Sequence, residues 1–261
     1  MKLRYHQIDA FSDRLFGGNP AGVCPLEAWL PAEIMQKIAM ENNQAETAFY
    51  VPGPGRHAIR WFTPAVEVDL CGHATLAAAY VIFHVDGFAG PRIEFDSRSG
   101  LLTVRRDGER LTLDFPADEI VPVEPPELLV EGLGAPPAEA YKGKTDYMLV
   151  YDTAEAVADM RPDFGLVAKV PARGVIVTSP GRDTDFVSRF FGPQVGIDED
   201  PVTGSAHTTL TPYWAKRLRK AELTAAQLSK RGGRLWCKLV GDRVEISGQA
   251  RAYLRGEIEI L

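Results

Sequence analysis

The stretch RWFTPAVEVDLCGHA (60–74) has a counterpart later in the chain, RFFGPQVGIDEDPVTGSA (189–206). Both stretches start with an arginine and aromatic residues, pass a proline and alternating Val or Ile residues, and reach a glycine turn. Hairpin-like segments follow each of them in the same order, with turns at Gly108 and Gly241. Because chance similarity would not keep this order, we predict that the chain consists of two related halves.

Each glycine turn precedes a segment that is predicted to be a helix, at 72–85 and at 204–218. The first of these helices is apolar on nearly every side and must therefore be enclosed. Strand-like segments lie before and after each helix. The prediction is an α+β fold with two pseudo-symmetric lobes, each a barrel-like, mainly antiparallel sheet around a central helix. The expected boundaries are 1–116, with the last strand at 251–261, and 117–250.

The composition is that of an ordinary globular protein of 261 residues, with 45% hydrophobic and 25% charged residues. The formal net charge is −6, and no long run of charges has one sign. This argues against a nucleic-acid partner, since nucleic-acid binders normally have a basic face. The longest apolar run, 76–83, is too short to span a membrane. Three widely spaced cysteines form neither a disulfide framework nor a zinc site. We therefore expect a cytoplasmic protein without a membrane partner.

The two glycine turns, Cys71-Gly72-His73 and Thr203-Gly204-Ser205, could bind an anion. Free backbone N–H groups and the positive end of the helix dipole converge at a helix N-terminus. Two such N-termini facing one cleft would hold a carboxylate. The alternative is that each turn is a plain junction between a loop and a helix.

Glu46 is the best candidate for a proton-transferring group. It starts a strand directly after a helix, in the stretch NQAETAF (43–49), where apolar neighbours can partly desolvate a carboxylate. Such a carboxylate suits general acid–base catalysis. The alternative is a surface glutamate. The sequence has no dinucleotide motif, phosphate loop or metal-ligand spacing, so we expect neither a cofactor nor a metal.

Four further residues near the turns have both a functional and a structural interpretation. His73 could donate to a substrate or only start its helix, and Asp200 could accept from a substrate or only form a turn. Ser205 could contact a ligand as well as cap its helix. Cys71 could be reactive, or it could be a small buried side chain.

Several motifs in this order resemble the phenazine-biosynthesis isomerase (PhzF-like) family, and the resemblance runs over nearly the whole chain. The motifs are DAF (9–11), FGGNPAGV (16–23), AETAF (45–49), RWFTP (60–64), CGHAT (71–75), EDPVTGSA (199–206) and GDRV (241–244). The resemblance implies a diaminopimelate-epimerase-like fold, a homodimer and cofactor-free proton transfer. The founding activity of the family isomerises a dihydro-hydroxyanthranilate by moving a proton between ring carbons.

The resemblance also assigns roles to residues of this chain. The catalytic glutamate of the family corresponds to Glu46. Its active-site histidine, aspartate and serine correspond to His73, Asp200 and Ser205. The backbone positions near the substrate carboxylate correspond to Gly72 and Gly204. Asn19 and Cys71 are additional candidates.

One departure from the wider superfamily concerns cysteine. Related epimerases and racemases use one cysteine from each lobe, but here Cys71 has no counterpart in the stretch 200–205. The sequence therefore predicts a cofactor-independent isomerase of a small carboxylated metabolite, with Glu46 as the acid–base group. The alternatives are an amino-acid epimerase that uses Glu46 with Cys71, and a non-catalytic protein that binds a small molecule.

Overall fold

The computed structural model describes residues 1–260, which fall into two compact units. The first unit is Met1–Asp114 together with the C-terminal segment that begins at Ser247. The second unit is Phe115–Ile246. Strands predominate in both units and helices are few, which confirms the α+β fold class that the sequence predicts.

The first unit contains two helices and most of the N-terminal strands. Its elements in chain order are β1 (Lys2–Ala10), β2 (Asn19–Pro25), α1 (Ala32–Asn42), β3 (Glu46–Pro52), β4 (His57–Phe62), β5 (Glu67–Val68), α2 (Gly72–His84), β6 (Arg92–Ser97), β7 (Gly100–Asp107) and β8 (Arg110–Pro116), whose last two residues belong to the second unit.

The second unit has a similar series of strands with four helices. Its elements are β9 (Val121–Pro122), α3 (Glu127–Leu133), β10 (Glu139–Lys142), β11 (Asp146–Val150), α4 (Ala154–Ala158), α5 (Phe164–Val167), β12 (Gly174–Pro180), β13 (Phe186–Phe191), α6 (Gly204–Leu218), β14 (Glu222–Gln227), β15 (Gly233–Val240) and β16 (Arg243–Gly248), which ends in the first unit. The last strand, β17 (Ala250–Glu259), returns to the first unit.

The strands of the two units pair in the same order. In the first unit, β1–β2 is antiparallel, β2–β3 parallel, β3–β4 antiparallel, β4–β6 parallel and β6–β7 antiparallel. In the second unit, β10–β11, β11–β12, β12–β13, β13–β14 and β14–β15 follow the same alternation. The repeated sequence pattern therefore corresponds to a repeated order of strand pairing.

Helix α2 is the buried helix of the first unit. Ten of its thirteen residues are buried, and it packs against β1, β2, β3 and β17. A helix without a polar face is stable only when other elements enclose it, as this sheet does. The helix predicted at 72–85 is thus confirmed, and it ends at His84.

Helix α6 is the longest helix of the second unit and packs against β14 and β15. Its Trp214 is fully buried, stacks on Phe186 with ring centroids 5.8 Å apart, and donates from Nε1 to Oγ1 of Thr178. Its bounds agree with the helix predicted at 204–218. Among residues 1–260, no helix is both long and apolar enough to cross a membrane.

The two predicted hairpin turns are also present. Gly108 lies between β7 and β8 with φ 58°, and Gly241 lies between β15 and β16 with φ 61°. Side chains with a Cβ atom rarely adopt these left-handed values, which explains a glycine at both positions.

Candidate active site

Parallel pairing of β2 with β3 places the starts of these two strands at the same end of the sheet. Asn19 is the first residue of β2, and Glu46, the first residue of β3, is in register with Ala21. Helix α2 packs across both strands, so that its first turn reaches the same place. Three segments that are distant in sequence thereby bring polar side chains to one point.

His73 is at the centre of this group. Its Nε2 lies 3.1 Å from Oε2 of Glu46, a distance suited to an ion pair although the angle is not that of a hydrogen bond. Its Nδ1 lies 3.5 Å from Sγ of Cys71 and 3.3 Å from Nδ2 of Asn19. The side chains of His73 and Glu46 are only 7% and 14% exposed. The two ring nitrogens thus face different partners in a nearly dry environment.

The neighbours of His73 favour its protonated form. Burial by itself would lower the pKa of His73, but the adjacent Cys71 and Glu46 raise this pKa well above its ordinary value. Burial and the charge of Glu46 raise the pKa of the Cys71 thiol above its ordinary value, although the adjacent His73 acts in the opposite direction. Glu46 is the acidic side chain that pairs with the His73 ring.

Glu46, Cys71 and His73 also offer one oxygen, one sulfur and one nitrogen atom within 4.8 Å of one another, a donor set that can hold a metal ion. A tetrahedral ion needs donors that point at one centre. Here Glu46 lies against one ring nitrogen and Cys71 against the other. The two partners therefore lie on opposite sides of the ring rather than around one centre.

In the second unit, the buried side chain of Gln227 stabilises the loop that precedes α6. Oε1 of Gln227 accepts from the backbone N–H of Thr203 (2.9 Å), while its Nε2 donates to the backbone oxygen of Asp200 (2.8 Å). The Thr203 hydroxyl donates in turn to the Asp200 carboxylate. Gln227 is 1% exposed. These bonds fix the direction of the Asp200 side chain relative to the N-terminus of α6.

Helices α2 and α6 start in the same way. Each begins with a glycine, Gly72 or Gly204, that follows an extended residue, Cys71 or Thr203. Among the residues described, no side chain caps either N-terminus. The N–H groups of both first turns therefore lack the side-chain partner that a capping residue supplies, and they can donate to a bound anion.

The candidates from the sequence thus fall into two groups. The first unit brings together Glu46, Cys71, His73 and Asn19 next to Gly72. The second unit places Asp200 beside the turn that contains Gly204 and Ser205.

Sequence reasoning missed two residues, Gln227 and Arg173, which hydrogen-bond to the second group. Neither residue lies in a motif, and both are more than twenty positions from their partners. Only the tertiary structure can reveal such contacts.

The profile of the family described as "Phenazine biosynthesis-like protein" matches residues 8–256. This chain belongs to that family. It is 56% identical to an uncharacterized isomerase of Pseudomonas aeruginosa over 261 residues, which is the full length of both chains. The family that the sequence motifs suggested is therefore confirmed.

Solved structures also resemble this chain. A crystal structure of a PhzF-family protein from Enterococcus faecalis is 46% identical and has a TM-score of 0.95, with complete coverage of both chains. A predicted epimerase from Pseudomonas aeruginosa, 24% identical, shares the fold with a TM-score of 0.78 over 99% of this chain and 100% of that one. The epimerase-like fold expected from the sequence is thus confirmed.

Proposed function

We propose that this protein is an isomerase that moves a proton on a small carboxylated metabolite. The observation that carries the proposal is the buried pair of Glu46 and His73, with Oε2 and Nε2 3.1 Å apart. A carboxylate held beside a protonated imidazole in a nearly dry site is equipped for general acid–base catalysis. The names of the relatives, among them an uncharacterized isomerase, support the same reaction class.

In the proposed reaction, the Glu46 carboxylate takes a proton from one carbon of the substrate and returns it to another. No atom is gained or lost, and the glutamate ends in its starting state. The His73 imidazolium stabilises the carboxylate before and after the transfer. Asn19 can hydrogen-bond to the His73 ring in either protonation state. Its amide nitrogen donates to a neutral Nδ1, and its amide oxygen accepts from an imidazolium.

In either unit, backbone N–H groups at a helix start would donate to an anionic group of the substrate, near Gly72 and His73 in α2 or near Gly204 and Ser205 in α6. Asp200, whose carboxylate the Thr203 hydroxyl orients, would accept from a hydroxyl or amino group of the substrate. The repeated glycine turn in the sequence and the uncapped first turns support this part of the proposal.

The raised pKa of Cys71 argues against the epimerase alternative. A thiol must lose its proton to act as a base, and burial opposes this step. The chain has no second cysteine in the turn before α6. We therefore propose that Cys71 packs against His73 and does not abstract a proton.

The proposed chemistry needs only side chains and backbone N–H groups, and it calls for no cofactor. We also propose that the protein acts as a homodimer in the cytoplasm, as the resemblance and the composition suggest. Gel filtration with light scattering would test the dimer.

Proton transfer itself can be tested with a set of small carboxylic acids in D₂O. Wild-type protein should catalyse deuterium uptake at carbon in at least one unsaturated carboxylic acid, as detected by NMR. The matched carboxamides should react far more slowly because they lack the anionic group. Tight binding of a carboxylic acid without any deuterium uptake would favour the non-catalytic binding protein instead.

A further inference from the structure

A second buried polar network lies next to Ser205, in the second unit. Asp146 is 2% exposed and accepts two hydrogen bonds from Arg173, from Nε at 2.9 Å and from Nη2. The backbone N–H of Arg173 donates to the oxygen of Thr145, at 3.0 Å. A guanidinium group that is bound at its fork by a buried carboxylate has a fixed position and orientation.

The remaining end of Arg173 faces the start of α6. Its Nη1 donates to Oγ of Ser205 at 2.9 Å, and its guanidinium carbon lies 5.4 Å from the centre of the Phe190 ring. The side chain is 37% exposed, so the guanidinium is not sealed inside the unit. Burial by itself would lower the pKa of Arg173, but the hydrogen bond to Asp146 raises it, and the group is a permanent cation.

The hydrogen bond from Arg173 determines whether the Ser205 hydroxyl can donate to a ligand or accept from it. Since its oxygen already accepts from Arg173, the single hydroxyl proton points elsewhere. Within residues 1–260, the Ser205 hydroxyl has no acceptor for its own proton. It therefore presents a donor beside the uncapped N–H groups of α6.

We propose that Arg173 is a positioning residue that, through Ser205, makes the N-terminus of α6 selective for a carboxylate over a neutral group of the same shape. The inference deepens the proposed function and rests on its carboxylated substrate. A carboxylate accepts at both oxygens and can pair with the Ser205 hydroxyl and the uncapped N–H groups of α6, which all donate. A carboxamide brings an NH₂ group, which meets these donors unfavourably.

The test compares the affinities of anthranilate and anthranilamide, two stable aromatic probes of nearly equal shape that differ in charge. Arg173→Gln alone would leave the buried Asp146 carboxylate without its partner and could prevent folding. The main variant is therefore Asp146→Asn with Arg173→Gln, which removes both charges together. Arg173→Lys is the second variant, because it keeps the charge but cannot bond to Asp146 with two nitrogens and reach Ser205 as well.

Wild-type protein should bind anthranilate more tightly than anthranilamide. The double variant should bind anthranilate about tenfold more weakly, the scale of one hydrogen bond to a charged group, with little change for anthranilamide. In a Ser205→Ala background, the same double change should have little further effect. Arg173→Lys should lose carboxylate selectivity while keeping its melting temperature close to that of the wild type.

Equal losses for both probes would show that Arg173 is merely structural and would overturn the inference, as would unchanged affinities. An undiminished loss in the Ser205→Ala background would also refute it, because Arg173 would then act without Ser205. If the wild type bound neither probe, the carboxylate preference and this inference would both fail. Proton transfer by Glu46 would still be decided separately by deuterium uptake.

Discussion

A buried histidine near the start of α6, His207, predicts a specific loss of stability in acid. His207 is fully buried, its Nδ1 lies 2.8 Å from the backbone oxygen of Thr203, and its Nε2 has no hydrogen-bond partner among residues 1–260. Burial lowers the pKa of His207 to about 4, because the unpartnered side of the ring cannot carry a charge there at low cost.

The sign and size of the effect follow from this pKa. In the unfolded chain, His207 takes up a proton below pH of about 6.5, whereas in the folded chain it stays neutral down to about pH 4. As the pH falls from about 6.5 to about 4, protonation of His207 therefore stabilises the unfolded state relative to the folded state. A difference of about 2.5 units corresponds to about 3 kcal/mol in full, of which about 2 kcal/mol is lost at pH 5.

The assay is urea unfolding of the wild type and of His207→Gln at pH 7 and pH 5. Glutamine keeps an N–H donor for the Thr203 carbonyl but does not titrate, so its own cost is the same at both pH values. The stability advantage of the wild type over the variant should shrink by about 2 kcal/mol at pH 5. His84→Gln, at an exposed position, serves as the control and should show a much smaller change. A difference between wild type and His207→Gln that does not depend on pH would refute the reasoning.

Three further changes test other parts of the site and the core. Cys71→Ala should leave most deuterium uptake intact, because the raised pKa of the thiol makes it a poor base. A fall in rate as large as that expected for loss of the catalytic base would favour the epimerase alternative. Ser205→Pro removes a backbone N–H of the first turn of α6. Titration should therefore show weaker anthranilate binding by Ser205→Pro than by Ser205→Ala. Equal binding by the two variants would exclude that N–H from the site. Trp214→Phe removes the indole N–H that donates to the buried Thr178 hydroxyl at 3.0 Å. The free energy of unfolding, measured with urea, should fall by about 1–3 kcal/mol. An unchanged value would mean that this hydrogen bond contributes nothing.

Much of the fold could be predicted from local patterns in the sequence. Continuous apolar character predicted the helix that became α2, and glycines at 108 and 241 predicted two turns that need left-handed backbone. Glu46 could be placed at the start of a strand because the helix before it ends with polar residues. These features depend on neighbours in the chain, which a sequence displays directly.

The contacts within the site could not be predicted in the same way. The closeness of Glu46 to His73 depends on the parallel register of β2 with β3 and on the packing of α2 across them. Arg173 and Gln227 reach the start of α6 from other strands or loops, and no motif marks either residue. Such contacts are set by tertiary packing, so the sequence identified the candidates without their partners.

The account depends most directly on Glu46, and the decisive measurement is deuterium uptake from D₂O by Glu46→Gln. Glutamine keeps the shape of the side chain but cannot accept and return a proton at neutral pH, so the rate should fall by about 10²–10⁴-fold while anthranilate binding is largely retained. Glu41→Gln, an exposed position in α1, is the matched control and should exchange like the wild type. If Glu46→Gln instead exchanged deuterium at the wild-type rate, proton transfer by this carboxylate would be contradicted.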